Sequence, residues 1–176
     1  MNKIDSADMG PWLSPEDLTF VRHKVPMAYV NIVPVKTKEN GDIEGIGLLL
    51  HASESGLLWS FPGGRILFHE KIHDAIARHI DNDLGSMALP TIPPSIRPFT
   101  VGEYFPTPGV GWFDERQHAI SLGYIVPIQG DPTPGESSLD FSWYTPGELR
   151  TASLQAEMEE AHVSLLKRAL AHLSII

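Results

Sequence analysis

The chain has 176 residues, a formal net charge of −9 and a hydrophobic content of 42%. This length and composition predict a single domain, residues 1–176, with a substantial buried core. Only 13 basic residues occur and they are scattered, whereas a protein that wraps nucleic acid needs them clustered. Because cysteine is absent, disulfide, thiolate and cysteine–zinc chemistry are excluded.

The sequence contains no apolar run of about 18 residues, the length that a transmembrane helix requires. Residues 1–6 also lack the apolar stretch of a signal peptide. We therefore expect no nucleic acid partner, no membrane partner and a cytoplasmic location. A small anionic substrate is compatible with the negative charge, because a few arginines and a divalent cation can attract it into a cleft.

The N-terminal part predicts a loose leader over residues 1–12, followed by a helix. Ser14 can cap this helix, Pro15 suits its first turn and Asp17 completes the spacing of a capping box. Pro26 is expected to end it. Its inner stripe is predicted to contain Leu18, Val21 and Val25.

Two strands and a long helix are expected next. β-branched residues predict a strand over Met27–Lys36, in which Pro34 indicates an edge position or a bulge. An Asn40-Gly41 hairpin turn then leads into a returning strand over Ile43–His51. Residues 59–64 are expected to lead into a helix from near Glu70 to Leu84, with Gly85 as its C-terminal cap.

The remaining elements alternate irregularly, which indicates an α/β or α+β fold with a mixed β-sheet sandwiched between helices. A loop rich in glycine and proline is expected at 106–116. The predicted strands are Phe99–Phe105, Gln117–Ile128 and Phe141–Tyr144. A helical turn is predicted at 145–148, and an amphipathic C-terminal helix at 155–174.

One motif in the segment 59–85 is the zinc-protease pattern H-E-x-x-H, which residues 69–73 match literally. Two histidines four residues apart on a helix share a face and can bind one zinc ion. His79 stands where related enzymes place a third ligand, but Ile76 replaces the glycine that would break the helix. An unbroken helix directs His79 about 120° away from His73, so this is the weaker interpretation.

A second motif fits the same segment with more fixed points. The spacing resembles the Nudix box, G-x5-E-x7-R-E-U-x-E-E-x-G-U, in which U is aliphatic. The matching residues are Gly64, Glu70, Arg78, Ile80 and Gly85. The resemblance implies the Nudix fold and a site for a pyrophosphate-linked substrate. The glutamates that usually bind metal are replaced by His79, Asn82 and Asp83, and the last aliphatic position is Ser86.

The helical spacing supports a site at these three positions. Residues 79, 82 and 83 are separated by three and four residues, so their side chains converge on one face of the helix. We predict His79, Asn82 and Asp83 as ligands of Mg²⁺ or Mn²⁺; the alternative is the solvated face of an ordinary helix. An ion pair between Glu70 and Arg78 is predicted to clamp the preceding loop onto the helix. A separate apolar row is expected to pack on the sheet: Ile72, Ile76, Ile80 and Leu84.

Within the Nudix superfamily, the chain most resembles the GDP-mannose mannosyl hydrolase branch, over about residues 12–173. The shared features are Leu13–Leu18, Pro62–Arg65, Arg78 without a following glutamate, Asp83-Leu84-Gly85 and Trp143–Pro146. The resemblance implies a Mg²⁺-dependent hydrolase of nucleoside-diphosphate sugars that attacks the anomeric carbon, and it is compatible with a homodimer. It makes Asp83 the acidic metal ligand, and Arg65 and Arg78 the arginines that assist the departing diphosphate.

The chain departs from that branch at the catalytic base. Ser137 and Ser138 stand where the branch has glutamine and histidine, and a neutral serine cannot serve as the base. Glu136 or Asp140 is the candidate substitute. Asn31 also replaces an aspartate of the branch.

Further residues are candidates for ligand contact. Gly64 is expected to lie against the substrate together with the two arginines. Trp112 could stack on a base or a sugar, close an edge of the core, or contact a second subunit. His118 and Glu103 lie on predicted strands and could point into a cleft.

Two functions are therefore carried forward. The first is a metal-dependent hydrolase of a nucleoside-diphosphate-linked substrate, with a nucleotide sugar as the expected class. The second is a Nudix-fold module that binds a nucleotide or a sugar phosphate without turnover.

Overall fold

A computed structural model describes residues 12–54 and 56–175 of the chain. Apart from Trp12, the leader expected at residues 1–12 lies outside the described residues. The helices are α1 (Pro15–Arg22), α2 (Ile72–Leu84), α3 (Pro146–Leu149), α4 (Ala152–Ala156) and α5 (Glu160–His172). The strands are β1 (Met27–Thr37), β2 (Ile43–Ser53), β3 (Gly56–Ser60), β4 (Gly63–Arg65), β5 (Thr100–Phe105), β6 (Trp112–Phe113), β7 (Ala119–Pro127) and β8 (Asp140–Tyr144).

These strands form one mixed sheet, as the irregular alternation of elements predicted. The main path runs β3-β2-β1-β7-β5-β6, while β4 pairs with β1 and β8 pairs with β2. β1 and β7 are parallel over nine residue pairs, from Met27 opposite Ala119 to Val35 opposite Pro127. β5 and β6 are also parallel, and the other pairings are antiparallel.

The two faces of the sheet are covered by different helices. On one face α2 buries Ala75, Ile76, Ile80 and Leu84 against β1 and β7. On the other face α5 buries Leu165, Leu166, Ala169 and Leu170 against β1 and β2. The apolar row predicted for α2 is therefore present from residue 76 onward. Ile72, the first residue of the helix, is exposed instead.

The N-terminal helix begins as predicted, since the Ser14 hydroxyl accepts a hydrogen bond from the Asp17 amide at 3.1 Å. It ends at Arg22, before Val25 is reached. Val25 is exposed, and Leu18 and Val21 are half-buried. The expected inner stripe is therefore wrong as a core element, because this eight-residue helix buries none of its residues.

Pro34 lies inside the sheet, so the predicted edge position is wrong; the irregularity in the pairing of β1 with β2 lies at Lys36 and Thr37, two residues further along. β1 pairs with β4 through residues 29–31 and with β2 through residues 35–37, along the same side of the strand. Pro34 falls between these two stretches. No neighbouring strand needs a hydrogen bond from its backbone nitrogen there, so proline is tolerated. The predicted hairpin turn is present, and Gly41 has a φ of 88° there.

The predicted C-terminal helix is divided, because the backbone of residues 157–159 bonds to β3 and leaves the helical ladder. The Trp59 amide donates to the Glu157 carbonyl at 2.7 Å, and the Glu159 amide donates to the Trp59 carbonyl at 3.0 Å. Two other regions also contain strands that were not predicted. β6 lies within the expected loop 106–116, and β3 and β4 precede α2. None of the helices in the described part of the chain has the length and apolar character of a membrane span.

Candidate functional site

The turn at β4 and the helix α2 approach each other very closely. Gly64 faces α2, and a Cβ atom at this position would overlap with the imidazole ring of His79. The His79 ring in turn lies with Nε2 at 3.1 Å from the carbonyl oxygen of Arg65. Because a carbonyl only accepts, this contact assigns the hydrogen of a neutral His79 to Nε2. Gly64, predicted to contact substrate, therefore serves helix–strand packing and also lines the cleft described below.

Glu70 and Arg78 form the ion pair that the sequence predicted. The Arg78 guanidinium donates to both carboxylate oxygens of Glu70, at 2.6 and 2.8 Å. The side chain of Arg78 is only 23% exposed and that of Glu70 only 12%. The pair also reaches the backbone on both sides: Glu70 accepts from the Leu67 amide and Arg78 donates to the Arg65 carbonyl. The hydrogen bonds from Arg78 hold the pKa of Glu70 below its usual range.

Asp83 is the third residue of α2 that is tied to the β4 segment. Its Oδ2 accepts a hydrogen bond from the Gly63 amide at 3.1 Å. Burial raises the pKa of Asp83, because the charged carboxylate loses water in this position. Burial lowers the pKa of His79 for the same reason, because the charged form of histidine is the protonated imidazolium, which also loses water here.

Asn82 and Glu136, the other two residues predicted for this end of the site, are exposed. Asn82 faces solvent, and its carbonyl packs against Gly135 of the loop that follows β7. The amide of Gly135 donates to the Asp83 carbonyl at 3.0 Å. This contact brings the loop that carries Glu136 next to Asp83, while the Glu136 side chain itself is exposed.

The donor set at α2 gives limited support for a metal ion. Within residues 12–54 and 56–175, no group of three or more His, Cys, Asp or Glu side chains is placed to hold one. Glu70 is engaged by Arg78, which leaves Asp83 as the carboxylate on the predicted face. These residues fit a Mg²⁺ or Mn²⁺ ion that takes one protein carboxylate and receives its other ligands from substrate phosphates and water. They do not fit a metal that resides in the protein without substrate.

The zinc-protease interpretation is wrong. It requires both histidines on consecutive turns of one helix, but α2 begins at Ile72. His69 precedes the helix, in a left-handed conformation with a φ of 61°. The two imidazoles therefore do not share a helical face.

A cleft of about 430 Å³ opens on the opposite face of the sheet, beside the end of α5. Five polar side chains are buried in the described part of the chain, and all five line this cleft: Asn31, Ser60, Gln117, Ser121 and His162. Buried polar groups cost free energy unless they find partners, so their concentration around one cavity indicates a binding site.

The register of the sheet explains how these residues meet. Side chains that lie opposite each other on paired strands share a face, and alternate residues of one strand do so as well. Tyr29 of β1 lies opposite Ser121 of β7 and opposite Arg65 of β4. Ser121 also lies opposite Gly102 of β5, whose missing side chain makes room for the ring of Trp112. Arg65 therefore projects from the face of the cleft, and its guanidinium has no hydrogen-bond or ion-pair partner among the described residues.

One wall of the cleft is a connected hydrogen-bond network. Gln117 bonds to the Tyr29 hydroxyl through both ends of its amide and donates to Asp114 at 2.9 Å. Arg116 pairs with the same Asp114 carboxylate through two bonds of 2.8 and 3.0 Å, and these bonds help to hold the pKa of Asp114 below its usual range. The network fixes these side chains before any ligand arrives.

The floor of the cleft is less completely bonded. The Asn31 amide donates to the Tyr104 hydroxyl at 3.1 Å, and burial raises the pKa of Tyr104 to about 12. His162 accepts a hydrogen bond at Nδ1 from the Phe61 amide, at 2.7 Å. The hydroxyl oxygen of Ser121 is buried and has no hydrogen-bond partner in the described structure.

Three residues considered from the sequence lie elsewhere. Trp112 lies against Gly102 and Tyr104, and its ring is covered by the guanidinium of Arg168 at 4.9 Å, so it closes an edge of the core. Glu103 is exposed on the face opposite to the cleft, since it pairs with Ile120. His118 stacks on the ring of Phe105.

The comparisons with known proteins show the family and the fold. The sequence signature of the family described as "Domain of unknown function (DUF4916)" matches residues 8–175. The chain belongs to this family. Among curated proteins, none matches the chain.

Solved structures extend this result. A protein from Jonesia denitrificans DSM 20603, described as a "possible asymmetric diadenosine tetraphosphate (Ap(4)A) hydrolase", is 48% identical with a TM-score of 0.82, over 86% of this chain and 96% of that one. The NUDIX domain of Shewanella oneidensis NrtR, complexed with ADP ribose, is 16% identical with a TM-score of 0.63, over 97% and 99%. A C. elegans Ap4A hydrolase is 14% identical with a TM-score of 0.60, over 85% and 99%. The chain therefore has the Nudix fold, as the spacing of the box predicted.

Proposed function

We propose that the protein hydrolyses a nucleoside-diphosphate-linked small molecule, with a nucleotide sugar as the substrate class, and that the uncharged part of the substrate occupies the cleft beside α5. The observation that carries this proposal is the set of five buried polar side chains around that cleft. Neutral amides, hydroxyls and imidazoles are the groups that recognise sugars and nucleobases by hydrogen bonds.

Arg65 is the proposed contact for the diphosphate. It projects from the same face as Tyr29, next to the cleft, and its guanidinium is not engaged by the described residues. Arg78 was expected to share this task. Its guanidinium is occupied by Glu70 and by the Arg65 carbonyl, so we assign to Arg78 the role of holding the β4 segment.

Asp83 is the proposed carboxylate for a divalent cation that arrives with the diphosphate. When bound, such a cation would offset the negative charge that grows on the departing diphosphate. Glu136 is the proposed base that activates water, because its loop is bonded to the Asp83 carbonyl through Gly135.

Two similarities support the substrate class. The relative from Jonesia denitrificans, at 48% identity, is described as a possible hydrolase of diadenosine tetraphosphate, a compound that also links nucleosides through phosphates. The resemblance to the GDP-mannose mannosyl hydrolase branch favours a nucleotide sugar. A cytoplasmic location and a homodimer remain predictions from the sequence.

A second candidate is binding without turnover. It is favoured by the contacts of α2, where Glu70, Arg78 and His79 are all engaged in hydrogen bonds to one another or to the backbone. The described residues also contain no cluster of three metal-binding side chains. A module of this kind would bind the same ligand and would not need a cation.

The experiment that tests these candidates is a panel of nucleoside-diphosphate sugars, ADP-ribose and diadenosine tetraphosphate, incubated with the protein and Mg²⁺ or Mn²⁺. Products are resolved by ³¹P NMR, and ligand-induced stabilisation is measured in parallel by thermal unfolding. We expect release of an intact nucleoside diphosphate, which means cleavage between sugar and phosphate.

Release of a nucleoside monophosphate would instead mean attack at phosphorus. Stabilisation without turnover would favour the second candidate. Neither turnover nor stabilisation with any compound would contradict both.

A further inference from the structure

His162 is held in one protonation state and one orientation by the fold. Its Nδ1 accepts the Phe61 amide hydrogen at 2.7 Å, so a neutral ring carries its own hydrogen on Nε2. The ring also stacks on the Phe61 side chain, with centroids 5.8 Å apart and an angle of 30° between the planes. His162 as a whole residue is 9% exposed. Nε2–H is therefore a fixed hydrogen-bond donor.

The Nε2–H group of His162 has no hydrogen-bond acceptor among the described residues. The hydrogen bond of the His162 side chain is made at Nδ1, and no described residue accepts from Nε2. His162 and Ser121 both line the cleft, and Ser121 is 2% exposed with a hydroxyl oxygen that is also without a partner among the described residues. Nε2 is not among the fully buried unpaired atoms of the described residues, so it opens on the cleft and can donate to a ligand there.

The charges around the cleft indicate which part of a ligand would meet this donor. The acidic side chains Asp114 and Glu159 line the cleft, against the single arginine Arg116. Arg116 already pairs with Asp114, and Glu159 forms no ion pair with a described residue, so the net charge of these three side chains is negative. A phosphate group would be repelled by this arrangement, so the cleft suits an uncharged group.

We propose that His162 is a specificity-determining residue that donates a hydrogen bond from Nε2–H to an oxygen or nitrogen acceptor on the uncharged part of the ligand. This inference rests on the proposed function. It predicts that the protein discriminates against compounds that present a hydrogen-bond donor at this point, because two donors would then face each other.

The test compares two histidine-to-asparagine variants. In His162→Asn the side-chain oxygen can take the place of Nδ1 and accept from the Phe61 amide, while the donor at Nε2 is lost. His172→Asn is the matched control, because His172 is an exposed histidine of the same helix outside the cleft. Dissociation constants for GDP-mannose, ADP-ribose and diadenosine tetraphosphate are measured by calorimetry for both variants and for the wild type.

We expect His162→Asn to weaken binding about 10- to 100-fold, because the acceptor atom of the bound ligand would lose its hydrogen-bond donor. His172→Asn should bind as the wild type does. Unchanged binding by His162→Asn would overturn this inference alone. No binding of any compound to the wild type would overturn the proposed function and this inference with it.

A second measurement covers the case in which His162→Asn does not fold. Long-range ¹H–¹⁵N NMR spectra of the wild type report which imidazole nitrogen carries the hydrogen. We expect the Nε2–H form for His162 and a change in the Nε2 shift when GDP-mannose is added. An Nδ1–H form, or an Nε2 shift that ligand leaves unchanged, would overturn the inference.

Discussion

The two faces of the sheet carry polar side chains of two different kinds. On the α2 face, Glu70, Arg78, His79 and Asp83 all bond to one another or to backbone atoms near β4. On the α5 face, polar side chains are buried more deeply, yet the hydroxyl of Ser121 and one ring nitrogen of His162 remain without partners there. Similar residue types therefore stabilise the fold on one face and are left free for a ligand on the other.

This difference shows that chemical type alone does not identify a ligand-binding residue. A buried donor or acceptor that already has its partner gains nothing from a ligand, whereas an unpaired one does. By this criterion we propose the cleft as the binding site, and most of α2 as the support that holds Gly63, Gly64 and Arg65 in place. The predictions below test that division.

The largest expected effect on stability comes from the ion pair of α2. Glu70→Ala leaves the mostly buried Arg78 guanidinium without its carboxylate, which should cost about 3 kcal/mol of unfolding free energy. Lys36→Ala is the control, since it removes an exposed pair with Glu44 at 3.7 Å and should cost less than about 1 kcal/mol. Urea unfolding measures both. Equal, small effects would mean that the α2 pair does not hold the fold.

The same pair has a predictable dependence on pH. The pKa of Glu70 is lowered in the folded protein, so its contribution is fully present above the usual carboxylate pKa of about 4.5. It is lost as the pH falls through the lowered value. The stability difference between wild type and Glu70→Gln should therefore shrink below about pH 4.5, as measured by urea unfolding at several pH values. A difference that stays constant to lower pH would contradict the assigned pairing.

Asp83 is the residue of α2 that we propose as the cation ligand, so a substitution there should reduce turnover more than stability. Asp83→Asn keeps an acceptor for the Gly63 amide but removes the charge that would hold a cation. We expect turnover of a nucleotide sugar with Mg²⁺ to fall about 100-fold or more, equivalent to about 2.7 kcal/mol of activation free energy. The melting temperature should change little. Full activity in this variant would show that the cation site is wrongly assigned.

The close approach of β4 and α2 should appear as coupling between two positions. Gly64→Ala places a methyl group against the His79 ring and should cost about 2 kcal/mol of stability. In a His79→Ala background the obstruction is gone, and the same substitution should cost less than about 1 kcal/mol. A double-mutant cycle measured by thermal unfolding gives the coupling energy. Additive effects would mean that the two residues do not pack as described.

The smallest expected effect concerns His162 on the other face. Burial lowers its pKa although the Glu159 carboxylate acts in the opposite direction. His162 of the unfolded chain therefore binds a proton near pH 6.5, whereas His162 of the folded protein binds it only at a lower pH. The free energy of unfolding consequently falls as the pH drops below about 7. His162→Asn should reduce this slope by up to about 1.4 kcal/mol per pH unit.

His79, whose pKa is also lowered by burial, should account for part of the slope that remains. His172→Asn, which removes an exposed ring from the same helix, is the matched control. A slope that His162→Asn does not alter would show that His162 titrates normally in the folded protein.

The sequence predicted the features that depend on local spacing. Gly64, Glu70, Arg78 and Gly85 lie within one turn and one helix, so their order along the chain determines the contacts they make. The fold and the Glu70–Arg78 ion pair were predicted for this reason. Whether Arg78 remained free for a ligand could not be predicted, because the answer depends on hydrogen bonds to the Arg65 carbonyl and to Glu70.

The cleft was not predicted, because its residues come from distant parts of the chain. Tyr29, Ser121 and His162 belong to three different elements, and only the parallel pairing of β1 with β7 and the position of α5 bring them together. A partial signal was available. Tyr29 and Asn31, like Ser121 and Gly123, are polar or small residues at alternate positions of otherwise apolar strands, which is typical of a strand face that lines a cavity.

The most direct test of the division between the two faces is an NMR titration. Backbone amide shifts of ¹⁵N-labelled protein are followed while GDP-mannose is added without a divalent cation. The expected result is that the largest changes occur at the cleft, at residues such as Tyr29, Ser121 and His162, and that the amides of Ile76–Asn82 change little. Large changes along α2, with the amides of the cleft unaffected, would contradict the account.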